Sequence, residues 1–294
     1  MLPDPTPFHR VVVATDLSAG SADALARAVR LPLAAGAILR LVHVVPRGIP
    51  TELRGRAVAL ATERLRALEP ELGAAPPGTR VERVVLEGPA HVEVIRNARA
   101  WGAELVVLGR HGRRRLDGLS LGSTAERVLR KGDVPVLVVR APPAGPYTRA
   151  VAAVDLSEVS GRVIELARAL LTGGAGELDV VHAFHIPFED WLGADYLAEL
   201  RREQRALVEA RTQELTAAFL ARGLPGKVAL SEGDPRVVVL REVALRHGDL
   251  LVTGTHARAG LAHALLGSVA EWLVRASPCD VAVTRPSRFT FELP

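Results

Sequence analysis

"RVVVATDLSAGSADALARAVRL" runs from Arg10 to Leu31, and "RAVAAVDLSEVSGRVIELARAL" runs from Arg149 to Leu170. Laid over each other they bring Asp16 onto Asp155 and, farther along, His43 of "LVHVV" onto His182 of "VVHAF", at a constant offset of 139 residues. The stretch "LEGPAHVEVIRNARAWGAELVVLG" then meets "SEGDPRVVVLREVALRHGDLLVTG", placing Gly88 on Gly233, Gly109 on Gly254 and Gly122 on Gly267 at an offset of 145. The chain is a tandem repeat, and each copy must be read as one unit. The change in offset puts six extra residues between His182 and Gly233, where "FEDWLGADYLAELRREQRALVEARTQEL" is expected to form an enlarged helix. Between the copies "APPAGPY", Ala141 to Tyr147, is a proline and glycine linker suited to a domain boundary. Two domains follow, 1–141 and 148–294.

Within the first copy, short apolar runs alternate with helical patterns. Strands are predicted at 10–15, 38–45, 80–86, 104–109 and 135–140, and helices near 18–34, 51–69, 90–101 and 123–131. Runs such as "VVVAT", "LVVLG" and "VLVVR" are apolar at every position rather than at every second one. That is the mark of a strand buried on both faces, as in a parallel sheet covered by helices on either side. The expected fold is α/β: two tandem doubly wound five-stranded parallel sheets of order 3-2-1-4-5, joined by right-handed crossovers. Strand 5 of each copy would be an exposed apolar edge, so the copies are expected to pack edge to edge about a pseudo-twofold axis. In this order the strand sequence reverses between strands 1 and 4, and ligands bind outside the carboxyl ends at such a crevice. Asp16 ends strand 1 and Gly109 ends strand 4, so both should flank one cleft.

Composition narrows the function. The 294 residues are 48% hydrophobic with only six Phe, three Trp and two Tyr, so the core must be built from Val, Leu and Ala. A single cysteine, Cys279, excludes a disulfide framework or a cysteine zinc cluster and fits a reducing compartment. The start "MLPDPTPFHR" lacks a secretory pattern and no apolar run reaches membrane-span length, so a cytoplasmic protein with no membrane association is expected. Net charge is +4, but Lys131 and Lys227 are the only lysines and the arginines are scattered among acids, which disfavours a nucleic-acid surface. There is no Gly-x4-Gly-Lys-Ser/Thr loop, no Gly-x-Gly-x-x-Gly after strand 1 and no Gly-x-Ser-x-Gly elbow. Kinase, dehydrogenase and esterase chemistry lose their usual support, and no catalytic residue is assigned.

The stretch "LGRHGRRRLDGLSLGSTAE", Leu108 to Glu126, spaces Gly109, Gly112 and Gly122 with Ser123 and Thr124 behind the last. Phosphate is held well by several backbone N–H groups converging where no side chain intrudes. Ser123 and Glu126 have the form of a capping box, so a helix is expected to start at or just before Ser123 and to offer its N-terminal N–H groups to an anion. Arg110, Arg113, Arg114, Arg115 and Asp117 give this loop a formal +3. Gly-x2-Gly-x9-Gly-Ser after a buried strand, with Asp16 closing the first strand, resembles the ATP-binding type of the universal stress protein family. The resemblance extends over both copies. It implies ATP, with or without Mg²⁺, whose adenine and ribose lie near Asp16, Val44 and the backbone around Ala14. The phosphates would then meet Leu108, Gly109, Gly112, Gly122, Ser123 and Thr124. A carboxylate repels a triphosphate, so Asp16 belongs at the nucleoside end; the alternative role for it is a turn or helix-capping residue. The family also implies a stress-response or regulatory protein that acts through protein partners, with assembly into dimers.

The second copy departs from this pattern. Asp155, Gly254, Gly267, Ser268 and Val269 occupy the equivalent positions, but Ala257 replaces the second glycine and Arg258 is the only charge in the loop. The first copy is therefore expected to be the main nucleotide site. His182, His185 and His256 would converge as a metal site if the loops brought them together, whereas the recurrence of His43 and His111 at two of these positions favours a positional role. Cys279 reads as a small buried side chain rather than a nucleophile. The readings carried forward are an ATP-binding regulator, an interaction module that uses no nucleotide, and a slow ATPase with His111 positioning water.

Overall fold

The computed structural model describes residues 7–111, 120–171, 176–185, 194–220, 226–255 and 267–286, with backbone alone at 69–71, 194–196 and 218–220. The first copy contributes β1 (Phe8–Ala14), β2 (Leu33–Val45), β3 (Arg80–Glu87), β4 (Leu105–Gly109) and β5 (Val136–Val139). The second contributes β6 (Arg149–Val154), β7 (Glu177–Phe184), β8 (Val228–Glu232), β9 (Leu250–Gly254) and β10 (Asp280–Thr284). The intervening helices are α1 (Ala19–Ala28), α2 (Thr51–Arg66), α3 (Ala90–Trp101), α4 (Ser123–Lys131), α5 (Ser160–Leu170), α6 (Ala194–Leu220), α7 (Pro235–Leu245) and α8 (Ser268–Ala276).

Each copy has the predicted order 3-2-1-4-5, and the two join into one ten-stranded sheet, β3-β2-β1-β4-β5-β10-β9-β6-β7-β8. All pairings within a copy are parallel, while β5 and β10 meet antiparallel. Leu137 stands opposite Ala282, its own counterpart in the repeat, so a local twofold axis passes between them. The period of two along each strand divides the core. Val11 and Val13 pack with Leu25, Leu65 and Ile164 on the α1, α2 and α5 face; Val12 packs with Ile95, Val128, Val239 and Leu273 under α3, α4, α7 and α8.

Two lengths differ from expectation. α1 stops at Ala28 and β2 begins at Leu33, although "LPLAAGA" is rich in helix-favouring alanine. Pro32 ends the helix, and its carbonyl accepts from Phe8 N at 2.9 Å, drawing the chain back into the sheet. Gly36, at φ 72°, then takes a conformation that alanine resists. The extra residues of the second copy do lengthen a helix: α6 has 27 residues where α2 has 16.

The linker is packed, not loose. Tyr147 is buried, its hydroxyl donates to Asp280 Oδ2 at 2.6 Å, and the Arg27 guanidinium lies 3.9 Å from its ring centroid. Arg27 Nε reaches the same Asp280 oxygen at 3.0 Å and Arg27 Nη1 reaches Gly145 O at 2.7 Å. The amide of Arg140 donates to Asp280 Oδ1 at 2.8 Å. Burial, then the neighbouring Asp280 charge, holds the Tyr147 hydroxyl well above its usual titration range. Removing one partner of such a buried pair strands the other. Asp280→Ala should therefore cost about 3 to 5 kcal/mol in urea unfolding; a loss below about 1 kcal/mol would show that Arg27 finds water instead.

α3 ends on Gly102 in the left-handed conformation, φ 69°, and the repeat puts His247 at the same point after α7, φ 51°. A side chain costs about 1 to 2 kcal/mol there, partly offset by the lower chain entropy of a non-glycine residue. His247→Gly should raise stability by roughly 0.5 to 1 kcal/mol, measured as an increase in Tm, whereas Gly102→Ala should lower it.

Candidate functional site

The chain leaves β1 toward α1 on one face of the sheet and leaves β4 toward α4 on the other, so the sheet opens between their carboxyl ends. A cleft of about 510 Å³ lies there. Of the residues predicted for the site, Ala14, Asp16, Val44, Leu108, Gly109, Gly122, Ser123 and Thr124 all line it. Gly112 lies outside the described residues, as do Arg113, Arg114, Arg115 and Asp117.

The turn after β1 is built from its own side chains. Asp16 Oδ1 accepts from Ser18 N at 3.1 Å and Ser18 Oγ at 2.5 Å, and Thr15 Oγ1 accepts from Leu17 N at 3.0 Å. These bonds hold Leu17 at φ 61°, a conformation that costs leucine energy and recurs at Leu156, φ 60°, in the second copy. There Asp155 Oδ1 accepts from Ser157 N, Ser157 Oγ and Ser160 Oγ. The turn role open to Asp16 is thus real, and its carboxylate also borders the cleft.

His43 and His182 hold the same position in the two copies, and His111 lines the cleft. His43 Nδ1 lies 2.9 Å from Thr15 O, and His182 Nδ1 lies 2.9 Å from Val154 O. A carbonyl can only accept, so the proton is assigned to Nδ1 and each ring pins the end of the strand beside it. His185 is exposed and His256 lies outside the described residues. Among the described residues no three His, Cys, Asp or Glu side chains are grouped to hold a metal ion. Cys279 is partly buried beside Ser277, and burial pushes its thiol up to about 11, so it is protonated at neutral pH.

Two expectations about the glycine segment change. The capping box does not form: Gly122 is the N-cap of α4, Ser123 is its first residue, and no side chain caps it. The first α4 hydrogen bond is Glu126 N to Gly122 O at 2.9 Å, which leaves the N–H groups of Ser123, Thr124 and Ala125 without a partner inside the helix, on residues that line the cleft. Gly122 sits at φ −59° and ψ 139°, open to any residue, so backbone conformation does not require glycine there. Arg110 is buried, and its Nη2 donates to the Arg275 carbonyl of the second copy at 2.6 Å. It does not contribute to a basic phosphate loop. Burial, then Arg140 and Arg275, lowers its pKa.

Gly109 answers to packing. A Cβ there would lie 2.3 Å from Gly20 O, and one on Gly20 would lie 2.6 Å from His111 O. The sequence reading missed Gly20, because nothing local marks it; the only sign is that the repeat replaces it with Val159. In the second copy the Val159 side chain covers Gly254, with Cγ1 2.8 Å from where a Cβ would stand.

Val44 is placed by the ladder. Thr15 N donates to Val42 O at 2.9 Å, so Val42 turns its backbone groups toward β1. Two residues on, Val44 faces the same way, but β1 has ended at Ala14. Its N–H and C=O therefore face the crevice.

A sequence model of the Universal stress protein family matches this chain twice, over residues 7–140 and 146–285. The chain belongs to that family. A universal stress protein of Methanocaldococcus jannaschii is 30% identical over 89 residues, covering 30% of this chain and 54% of that protein. One from Mycobacterium tuberculosis is 30% identical over 196 residues, 63% of each chain. The matches thus span from about half to under two thirds of these relatives' own lengths. A solved universal stress protein from Archaeoglobus fulgidus shares the fold, with a TM-score of 0.70 at 21% identity over 94% of this chain and 97% of that one. Among the described residues no helix is long and apolar enough to cross a membrane.

The two glycine contacts give this family member an uneven response to one extra methyl group. Gly109→Ala drives a carbon into the backbone of α1 and should cost about 1 to 3 kcal/mol in urea unfolding. Gly254→Ala meets the side chains of Val159 and Val163 and no backbone, and should cost less; equal costs would contradict this account.

Proposed function

We propose that the first copy binds an adenine nucleotide, ATP foremost, in the cleft between β1 and β4, and that occupancy of this site acts on protein partners or assembly as part of a regulatory stress response. The observation that carries the reading is the pairing of two backbone donor sets across one cleft. The N–H groups of Ser123, Thr124 and Ala125 stand at one wall, with the positive end of the α4 dipole behind them. Val44 offers its N–H and C=O at the other, where the edge of a base would form a matched donor and acceptor pair.

The remaining lining supports that orientation. Ala14, Val42, Val44, Val94 and Leu108 make an apolar slot for a flat ring, and Asp16 stands where ribose hydroxyls need an acceptor. A cleft of about 510 Å³ is within the usual range for sites of small ligands. Mg²⁺ would be held mainly by phosphates and water, with the Ser123 and Thr124 hydroxyls nearby, so no carboxylate cluster is required.

The copies are unequal for reasons of packing. Val159 stands in the place of Gly20 with its side chain against Gly254, Val269 replaces the Thr124 hydroxyl, and Asp155 is exposed. Ala257 and Arg258 lie outside the described residues and are not needed for this inference.

Mass spectrometry of ligand released from the purified protein should detect an adenine nucleotide, and calorimetry should give about one ATP per chain. Gly122→Leu costs no backbone strain and should abolish binding by filling the phosphate space. Gly267→Leu should leave ATP binding within about twofold, and Asp16→Ala should weaken it about tenfold. Two equal sites, or loss with Gly267→Leu alone, would overturn the assignment; no binding at all would favour an interaction module that uses no nucleotide. Phosphate release above the Asp16→Ala background would indicate hydrolysis.

A further inference from the structure

α4 and α8 meet across the twofold axis, and four charged side chains close the seam. Arg130 Nη2 lies 3.2 Å from Glu126 Oε1 and 3.7 Å from Glu271 Oε2. Arg275 Nη2 lies 3.1 Å from Glu126 Oε2 and 3.0 Å from Glu271 Oε1. The repeat relates Glu126 to Glu271 and Arg130 to Arg275, so the ring is symmetric in composition.

The symmetry stops at the main chain. The Arg275 carbonyl accepts from Arg110 Nη2 at 2.6 Å, and Arg110 directly follows Gly109 of the cleft. The repeat puts Thr255 where Arg110 stands. Threonine is too short to make the same reach, and among the described residues its buried Oγ1 has no partner.

One residue of the second copy thus grips both ends of the cleft's anion wall. Its carbonyl holds Arg110 at the end of β4, and its guanidinium holds Glu126 in the first turn of α4. Gly122 N donates to Arg110 O at 2.9 Å and ties these two ends together. Glu126 also lines the cleft beside Ser123 and Thr124. An uncompensated carboxylate there would repel phosphates; instead Arg130 takes one of its oxygens and Arg275 the other.

We propose that Arg275 is a positioning residue supplied by the second copy to the first-copy cleft, fitting it for a polyphosphate by pinning Arg110 and α4 and by cancelling the Glu126 charge. The proposal rests on the nucleotide reading of that cleft. It also gives the second copy a task that needs no ligand of its own.

The test is Arg275→Gln in the full chain. ATP and adenosine are titrated by calorimetry, and amide hydrogen exchange at Gly122 and Ser123 is followed without nucleotide. ATP affinity should fall about tenfold while adenosine stays within about twofold, because only the phosphates meet Glu126. Exchange at both amides should accelerate. Adding Glu126→Gln to Arg275→Gln should restore most of the ATP affinity, which a merely structural role for Arg275 would not produce. If wild-type protein binds ATP and Arg275→Gln binds it equally well, the proposal falls and the nucleotide reading stands. Parallel loss of ATP and adenosine with no rescue by Glu126→Gln also overturns it. A wild-type chain that binds no ATP overturns both.

Discussion

The antiparallel pairing of β5 with β10 is the contact on which the rest of the molecule depends. "VLVV" and "DVAVT" are buried along their length, and unpaired they would leave two apolar sheet edges open to other chains. Joined, they place Asp280 against Arg27 and Tyr147 on one face and α4 against α8 on the other. Sliding the strands by one pair would take Leu137 off Ala282 and move Asp280 away from its partners. The buried cluster therefore specifies register, while the burial of Val136, Leu137, Val281 and Ala282 supplies the driving force.

On this frame, a symmetric fold carries asymmetric chemistry. Both copies keep the histidine that pins the first strand, the left-handed leucine after it and the glycine N-cap of the fourth helix. They differ where the cleft is made: Gly20 against Val159, Arg110 against Thr255, Thr124 against Val269. The features that recur serve the family fold, and they survive in a copy where Val159 packs on Gly254. In the first copy a glycine pair lets α1 approach the end of β4 closely, and Arg110 and Glu126 beside the cleft are tied to Arg275 of the other copy.

Much of the fold was legible because buried parallel strands leave a plain trace. Runs without polar alternation located β1, β4 and β5, and the repeat, at offsets of 139 and then 145, extended the reading to the second copy. Local chemistry was less reliable. The helix expected over 18–34 stops short because Pro32 and the pairing of Phe8 with Leu33 decide for strand. Ser123 and Glu126 have capping-box spacing, yet Gly122 takes the cap, because where a helix begins is fixed by the strand it leaves as well as by its own first turn.

The sequence alone determined the tandem α/β plan, the switch-point crevice and eight of the residues around it, since periodicity, repeat offset and strand order are properties of the chain itself. Tertiary structure decided what each residue is for. Gly109 is small because Gly20, 89 positions away in the chain, presses its carbonyl against it. Arg110 reads in the sequence as loop charge, yet it crosses the twofold axis to Arg275. A charge tally cannot tell a solvated guanidinium from a buried one. That distinction lies in which backbone atoms come within hydrogen-bonding distance, and those contacts form only when the two copies close on each other.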